Sequence, residues 1–199
     1  DIVTHDADWY REHGVSCRFG EAVDKIDRAQ KLVITANGAT SYDKLVIATG
    51  SASFLIPVAG NDLPGVVGFR DLDDVTAMLK AAQTPAGKAV VIGGGLLGLE
   101  AAAALNEQGM DVTVLHLMGH LMDRQLDPAA GYLLQQELQR RGIKVICKAH
   151  TKAILGKDQV DAVLMEDGTV HGADLVVMAA GIRPEVRLAN DAGLHVERG

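Results

Sequence analysis

The 199-residue sequence predicts an α/β fold organised around a parallel sheet. Two apolar runs, at 88–92 and 174–180, are continuous, which is typical of strands covered on both faces. The first run leads directly into a G-x-G-x-x-G motif and an alanine-rich helical segment. Helix and strand patterns alternate from there on, and this alternation favours a three-layer, Rossmann-like domain with a parallel sheet and a β-hairpin insert.

The first predicted helix of this domain follows the glycine motif. It covers residues 97–108, because Gly109 stands in the C′ position at which helices commonly end. Residues 111–115 are apolar and β-branched, and they follow as the second parallel strand.

A second helix is predicted between Asp127 and Gly142. Asp127 is a suitable N-cap, and Pro128 suits the first helical position because its missing N–H would be unpaired there anyway. Gly142 closes the helix, and residues 143–147 form the third strand.

The β-hairpin insert is predicted within residues 153–171. Alternating apolar and polar residues are interrupted there by Lys157-Asp158 and by Asp167-Gly168, and the second pair is typical of a two-residue hairpin turn. The run at 174–180 then returns the chain to the parallel sheet.

The glycine motif predicts a dinucleotide-binding site. Gly93 permits the tight turn, Gly95 lets the backbone approach a pyrophosphate, and Gly98 lets the helix pack close to the strand. The start of the helix adds unpaired N–H groups and partial positive charge that attract phosphates. The residues assigned to this cofactor site are Gly93, Gly94, Gly95, Leu96, Leu97 and Gly98.

The beginning of the chain repeats the end of this domain. Residues 13–17 parallel 141–145, Asn37-Gly38 stands in the place of Asp167-Gly168, and residues 43–50 parallel 174–181. The repeat predicts two nucleotide-binding domains in tandem, and because the first glycine motif would fall before residue 1, we expect the chain to be a fragment of a longer enzyme. Alternatively, two strand–hairpin–strand units look alike because both obey the same turn and burial rules.

Composition narrows the classes of partner and location. The formal net charge is −7 without a basic run, which disfavours nucleic acid and anionic membranes. No apolar run reaches the length of a bilayer span. Cys17 and Cys147 lie far apart without a C-x-x-C motif, so we expect each to be reduced in a strand core of a cytoplasmic protein. The histidines show no metal-ligand spacing, and no metal site is predicted.

Three segments resemble the FAD- and NAD(P)H-dependent pyridine nucleotide-disulfide oxidoreductase superfamily. They are 43–50 with Ala48-Thr49-Gly50, the motif 93–100, and 179–184 with Ala180-Gly181. The resemblance implies that residues 1–71 belong to a partial FAD-binding domain, that 72–184 form the NAD(P)H-binding domain, and that 185–199 begin the returning FAD-domain segment. It places Ala48, Thr49 and Gly50 near FAD, and Ala180 and Gly181 at the return crossover.

Residues 116–118 and 121–133, with the opening Asp8-Trp9-Tyr10, are similar to the large subunits of assimilatory NAD(P)H nitrite reductases. This similarity implies hydride transfer from NAD(P)H to FAD, and then electron transfer to iron–sulfur and sirohaem centres in an electron-acceptor domain or protein outside this chain. We expect the fragment alone to be inactive and to bind FAD weakly. The resemblance is compatible with a homodimer. The alternatives are a rubredoxin or ferredoxin reductase, an NADH oxidase, and a non-catalytic dinucleotide-binding module.

Three side chains near the motif carry further expectations. The superfamily places the residue matching Glu100 toward the flavin–nicotinamide junction, and Leu96 stands where some relatives carry an aromatic gate. His116 ends the second strand, where an NAD site usually has a carboxylate for the ribose. A neutral imidazole would bond a ribose hydroxyl and a protonated one would pair with a phosphate, so the choice between NADH and NADPH stays open. No acid–base catalyst is assigned, because hydride transfer is chemistry of the cofactors.

Overall fold

The computed structural model describes residues 4–197, which contain five helices and thirteen strands. In chain order these are α1 (Ala7–Glu12), β1 (Val23–Asp27), β2 (Leu32–Thr35), β3 (Gly38–Ser41), β4 (Ser51–Ser53), β5 (Val66–Val67), α2 (Leu72–Ala81), β6 (Lys88–Ile92), α3 (Leu96–Glu107), β7 (Asp111–His116), α4 (Pro128–Arg140), β8 (Lys144–Cys147), β9 (Thr151–Gly156), β10 (Val160–Met165), β11 (Val170–Gly172), β12 (Leu175–Met178), β13 (Ile182–Pro184) and α5 (Arg187–Asp191). Ser51–Arg183 form the larger of two compact units, and the residues before and after them form the smaller one.

A five-stranded parallel sheet lies at the centre of the larger unit. Its strand order is β5-β12-β6-β7-β8, and every neighbouring pair is parallel. Val91, Val114 and Val177, on three adjacent strands, are completely buried. Burial on both faces is the reason that these strands read as unbroken apolar runs in the sequence.

Layers of different kinds cover the two faces of this sheet. On one face α2, α3 and α4 contribute a cluster that includes Met78, Ala101, Leu105 and Leu138. On the other face the antiparallel sheet β11-β10-β9 contributes Ile154, Val163 and Met165, among others. The predicted three-layer α/β fold with a parallel sheet and a hairpin insert is confirmed. No helix in the described part of the chain has the length and apolar character of a bilayer span.

The predicted elements of the larger unit are present with small shifts at their ends. Helix α3 begins at Leu96, one residue before the prediction, because Gly95 is its N-cap with extended backbone angles. Strand β7 extends one residue further, to His116. Gly168 adopts a left-handed φ of +87° in the predicted turn between β10 and β11, a conformation that glycine adopts without steric cost.

The larger unit begins at Ser51, whereas the sequence suggested a domain boundary at residue 71. The intervening segment belongs to the larger unit because β5 pairs with β12 and β4 pairs with β13.

Helix α4 depends on a side-chain cap. The Asp127 carboxylate accepts a hydrogen bond from the Ala130 N–H at 2.8 Å, and Pro128 is the first helical residue. We expect Asp127→Ala to lower the free energy of unfolding by about 1 kcal/mol, which corresponds to a loss of roughly 2–4 °C in melting temperature for a chain of this size. Thermal denaturation measures this. The control Asp161→Ala removes an exposed carboxylate from β10, and an equal loss in both variants would contradict the capping role.

The smaller unit contains the antiparallel sheet β1-β2-β3 and helix α5. The Arg28 guanidinium donates to the carbonyl oxygens of Ala192 and Gly193, at 3.3 Å and 3.1 Å, and so satisfies carbonyls at the end of α5. Ala36 and Asn37 form the turn between β2 and β3, and Gly38, with a φ of +133°, is the first residue of β3. Both units therefore contain a three-stranded antiparallel sheet with a glycine at or next to a turn. The assignment of the smaller unit to a second nucleotide-binding domain stays a prediction.

Two expectations for the smaller unit are wrong. The repeat aligns residues 43–50 with the strand run at 174–181 and so implies a strand there, but these residues form no strand and Val46 is 85% exposed. Cys17 is exposed outside any strand rather than in a strand core. An apolar run becomes a parallel strand only when neighbouring strands cover it, and the sheet described in this unit is antiparallel and formed by other residues.

Candidate dinucleotide-binding site

The glycine motif lies at the carboxyl ends of the parallel strands. The Gly93 N–H donates to the Leu115 carbonyl at 2.8 Å, and the Ala179 N–H donates to the Ile92 carbonyl at 2.8 Å, so the ends of β6, β7 and β12 converge there. Gly93 has a φ of +126°, and a Cβ on it would overlap the Ala179 carbonyl oxygen. Only glycine fits this turn.

Gly98 holds α3 close to the motif. A Cβ on Gly98 would overlap the carbonyl oxygen of Gly93 and would lie 3.3 Å from the Ala179 Cβ. The first turn of α3 therefore packs directly on the backbone of the turn, as the G-x-G-x-x-G pattern predicts.

Gly95 faces open space. An added Cβ would meet no protein atom within 4 Å, and Gly95 is the N-cap of α3 without any side-chain capping bond. The first N–H groups of α3 therefore have no side-chain acceptor, and the helix dipole adds partial positive charge at the same place. The arrangement fits the pyrophosphate of a dinucleotide.

Exposed apolar side chains follow the ends of two neighbouring strands. After β6, Leu96 and Leu97 are 59% and 39% exposed, and after β7, Leu117 and Met118 are 56% and 48% exposed. Such side chains provide the apolar contacts that ligand rings require. Glu100 lies exposed on α3, just after its first turn. The assignment of Leu96, Leu97 and Glu100 to cofactor binding stays a prediction.

The structure corrects the expected role of His116. Its imidazole is buried, with the residue only 6% exposed, and its Nδ1 accepts a hydrogen bond from the Gly94 N–H at 3.0 Å. Because Nδ1 is the acceptor, the neutral ring carries its proton on Nε2. Nε2 is shielded from solvent and lies 3.2 Å from Asp123 Oδ1, as a close contact rather than an aligned hydrogen bond. Nδ1 is already bonded and Nε2 is shielded, so neither nitrogen is accessible to a ribose hydroxyl, and His116 supports the glycine motif instead.

Residues 121–123 complete the support of the motif, a role the sequence did not reveal. The Met122 N–H donates to the Gly94 carbonyl at 2.9 Å. A Cβ on Gly94 would lie 2.5 Å from Leu121 Cδ2 and 2.7 Å from His116 Cγ. The Gly94 N–H is thus bonded by His116, the last residue of β7, and the Gly94 carbonyl is bonded by Met122 in the segment that follows β7. Met122 adopts an uncommon left-handed φ of +54° at this contact. No sequence pattern signals the contact.

The predicted crossover residues lie in two places. In the larger unit, Ala180 and Gly181 are exposed after β12, and the Gly181 carbonyl accepts from the Phe54 N–H at 2.9 Å. In the smaller unit, the Thr49 hydroxyl donates to the Glu185 carbonyl at 2.6 Å, and the Glu185 N–H donates to the Gly50 carbonyl at 2.9 Å.

Ala48 is exposed beside Thr49 and Gly50. The placement of Ala48, Thr49 and Gly50 near a flavin, and of Ala180 and Gly181 at the crossover, stays a prediction.

Cys147 is half-buried at the end of β8, with its Sγ 3.8 Å from Gln135 Oε1. Burial raises the pKa of the Cys147 thiol. A thiol with a raised pKa is a poor nucleophile at neutral pH, so Cys147 fits a packing role in the strand, as expected.

Comparison with known proteins agrees with this geometry. Residues 4–199 match the family described as pyridine nucleotide-disulphide oxidoreductase. The chain is 48% identical to a nitrite reductase [NAD(P)H] of Bacillus subtilis and 46% identical to the assimilatory nitrate reductase electron transfer subunit of the same organism. Both alignments cover 100% of the chain, which spans only 25% and 26% of those relatives.

The fold is also similar to a solved structure. A ferredoxin reductase from Rhodopseudomonas palustris has a TM-score of 0.92 and 28% identity, covering 98% of this chain and 48% of that one. The glycine motif, the parallel sheet and the family match over nearly all of the sequence lead to one conclusion. The chain belongs to the pyridine nucleotide-disulphide oxidoreductase family.

Proposed function

We propose that this chain is the NAD(P)H-binding module of an FAD-dependent oxidoreductase, in which hydride passes from NAD(P)H to FAD. The observation that carries this proposal is the open space at Gly95, which lies at the uncapped start of α3 between close backbone contacts at Gly93 and Gly98. A side chain would fill this space, and a pyrophosphate suits it.

In this reaction the chain positions the nucleotide and attracts its phosphates electrostatically. The start of α3 binds the pyrophosphate, and the exposed Leu96 and Leu97 provide apolar contacts for the nicotinamide end. NAD(P)H supplies the hydride when bound, and FAD accepts it. Glu100, Ala48–Gly50 and Ala180-Gly181 are proposed to lie toward the flavin. No side chain is assigned a proton transfer.

The proposed parent enzyme is an NAD(P)H nitrite reductase. The identity of 48% to the Bacillus subtilis nitrite reductase, over the whole of this chain, supports that assignment. Electrons would then leave FAD for iron–sulfur and sirohaem centres in the remainder of that enzyme. The second candidate is a ferredoxin reductase, which is supported by the fold similarity to the Rhodopseudomonas palustris protein.

Anaerobic flavin reduction tests the proposed hydride transfer. The purified protein carrying this chain, reconstituted with FAD, is mixed with NADH or NADPH without oxygen, and we expect the flavin absorption band to bleach. Binding of the nicotinamide nucleotide without bleaching would contradict the proposal and would leave a non-catalytic module.

The electron acceptor separates the candidate enzymes. The same protein is supplied with NADH and, in turn, with nitrite, oxygen or a ferredoxin, and the consumption of NADH is followed. We expect consumption that depends on nitrite. Consumption that depends on ferredoxin alone would favour the second candidate.

A further inference from the structure

The strand end that normally reads the ribose carries a side chain that cannot do so. β7 ends at His116, where dinucleotide-binding domains use an acid to hold the adenosine ribose. Here the imidazole is turned to the glycine motif, bonds Gly94, and is shielded from solvent. If the site binds NAD(P)H, another group has to contact the ribose.

Asp123 brings a carboxylate to this strand end from the following segment. Its Oδ1 lies 3.2 Å from His116 Nε2, and the preceding Met122 N–H is bonded to the Gly94 carbonyl. The Asp123 side chain is 24% exposed, whereas that of His116 is 8% exposed. The carboxylate therefore combines a fixed position with access to ligand.

The hydrogen-bonding capacity of Asp123 is still available. A carboxylate has about four acceptor positions. His116 Nε2 approaches one oxygen without forming an aligned hydrogen bond. The proton on Nε2 attracts the carboxylate but leaves acceptor positions for ribose hydroxyls.

We propose that Asp123, positioned by His116, reads the adenosine ribose and selects NADH over NADPH. This inference rests on the proposed NAD(P)H site and adds the group that determines specificity. A carboxylate accepts hydrogen bonds from the ribose hydroxyls and repels the phosphate that NADPH carries on its 2′ oxygen.

Two exposed cations flank the same segment: Arg124, which directly follows Asp123 in the chain, and Lys148. The Lys148 N–H donates to the Met118 carbonyl at 3.0 Å, and its Cε would lie 3.8 Å from a Cβ on Gly119. The side chains of both cations are exposed, so solvent screens their charges. Asp123 is held beside a buried ring, and its charge is screened less.

Ligands that carry only the adenosine end test the proposal directly. The dissociation constants of ADP-ribose and 2′-phospho-ADP-ribose are measured by calorimetry on the purified protein carrying this chain. We expect the wild type to prefer ADP-ribose. Asp123→Asn, which keeps the shape and removes the charge, should weaken ADP-ribose roughly tenfold, the usual scale for one hydrogen bond to a charged group. It should leave 2′-phospho-ADP-ribose unchanged or tighter.

The control is Asp161→Asn, which removes an exposed carboxylate from β10 and should leave both constants unchanged. An unchanged ratio of the two constants in Asp123→Asn overturns the role of Asp123, while binding by the wild type upholds the dinucleotide site. Equal weakening of both ligands, or a lower melting temperature, assigns Asp123 a structural role and also overturns the inference. Failure of the wild type to bind either ligand overturns the dinucleotide site and the inference together.

Discussion

Replacing Gly95 with valine is expected to abolish binding of NAD(H) and to leave the fold intact. A Cβ at Gly95 meets no protein atom within 4 Å, and the φ of −87° is accessible to any residue. Valine would therefore extend into the space at the start of α3 that we assign to the pyrophosphate. Calorimetric titration should show no measurable binding in this variant. The melting temperature should fall by no more than a few degrees, because valine is a poorer N-cap than glycine.

The matched control is Gly172→Val. Gly172 lies on β11, its φ is not in the left-handed region, and the nearest atom to an added Cβ is Lys88 Cδ at 3.7 Å. A side chain fits there too. Its neighbour Lys88 is the first residue of β6, whereas the glycine motif follows the last residue of that strand. Equal affinities of Gly95→Val and the wild type would refute the assignment of the pyrophosphate site.

Gly98→Ala is expected to destabilise the protein, although the same change in most helices is stabilising. Alanine is favoured over glycine in a helix by up to about 1 kcal/mol. At Gly98, however, the added methyl group would overlap the Gly93 carbonyl oxygen, a backbone atom that cannot turn away. We expect a net loss of roughly 1–3 kcal/mol in the free energy of unfolding, which is about 2–12 °C in melting temperature.

Ala104→Gly provides the reference on the same helix. Ala104 is exposed on α3, so its replacement should cost only the helix propensity, about 1 kcal/mol. The two changes have opposite chemistry but the same expected sign. A rise in melting temperature for Gly98→Ala, measured by thermal denaturation, would contradict the close packing of α3 on the motif.

Elements whose cause is local could be predicted from the sequence. Helix α4 is one example, because Asp127 and Pro128 determine its start without help from distant residues. Strands β6 and β12 are predicted as well, because their burial on both faces leaves unbroken apolar runs. Residues 43–50 show the limit of the same argument. An apolar run indicates that a segment is suited to burial, but it does not indicate whether neighbouring strands are present to bury it.

The candidate site divides in the same way. The glycines at 93, 95 and 98 act on backbone atoms within a few residues, so their spacing carries the prediction. The orientation of His116 depends on the Gly94 N–H, which lies 22 positions earlier in the chain. Side-chain orientation of this kind follows from tertiary packing and has no sequence pattern. For the same reason the proximity of Asp123 to His116 could not be predicted from the sequence.

Both backbone polar groups of Gly94 are hydrogen-bonded: its N–H to the His116 ring and its carbonyl to the Met122 N–H. The loop that receives the ligand is therefore ordered by its own chain before any ligand arrives. Ordering a loop during association usually weakens binding, because conformational entropy is lost at that step. In this protein the loss occurs during folding instead. The proposed nucleotide-binding loop is consequently preorganised. Loosening either hydrogen bond to Gly94 would weaken the affinity for the nucleotide without removing any atom that contacts it.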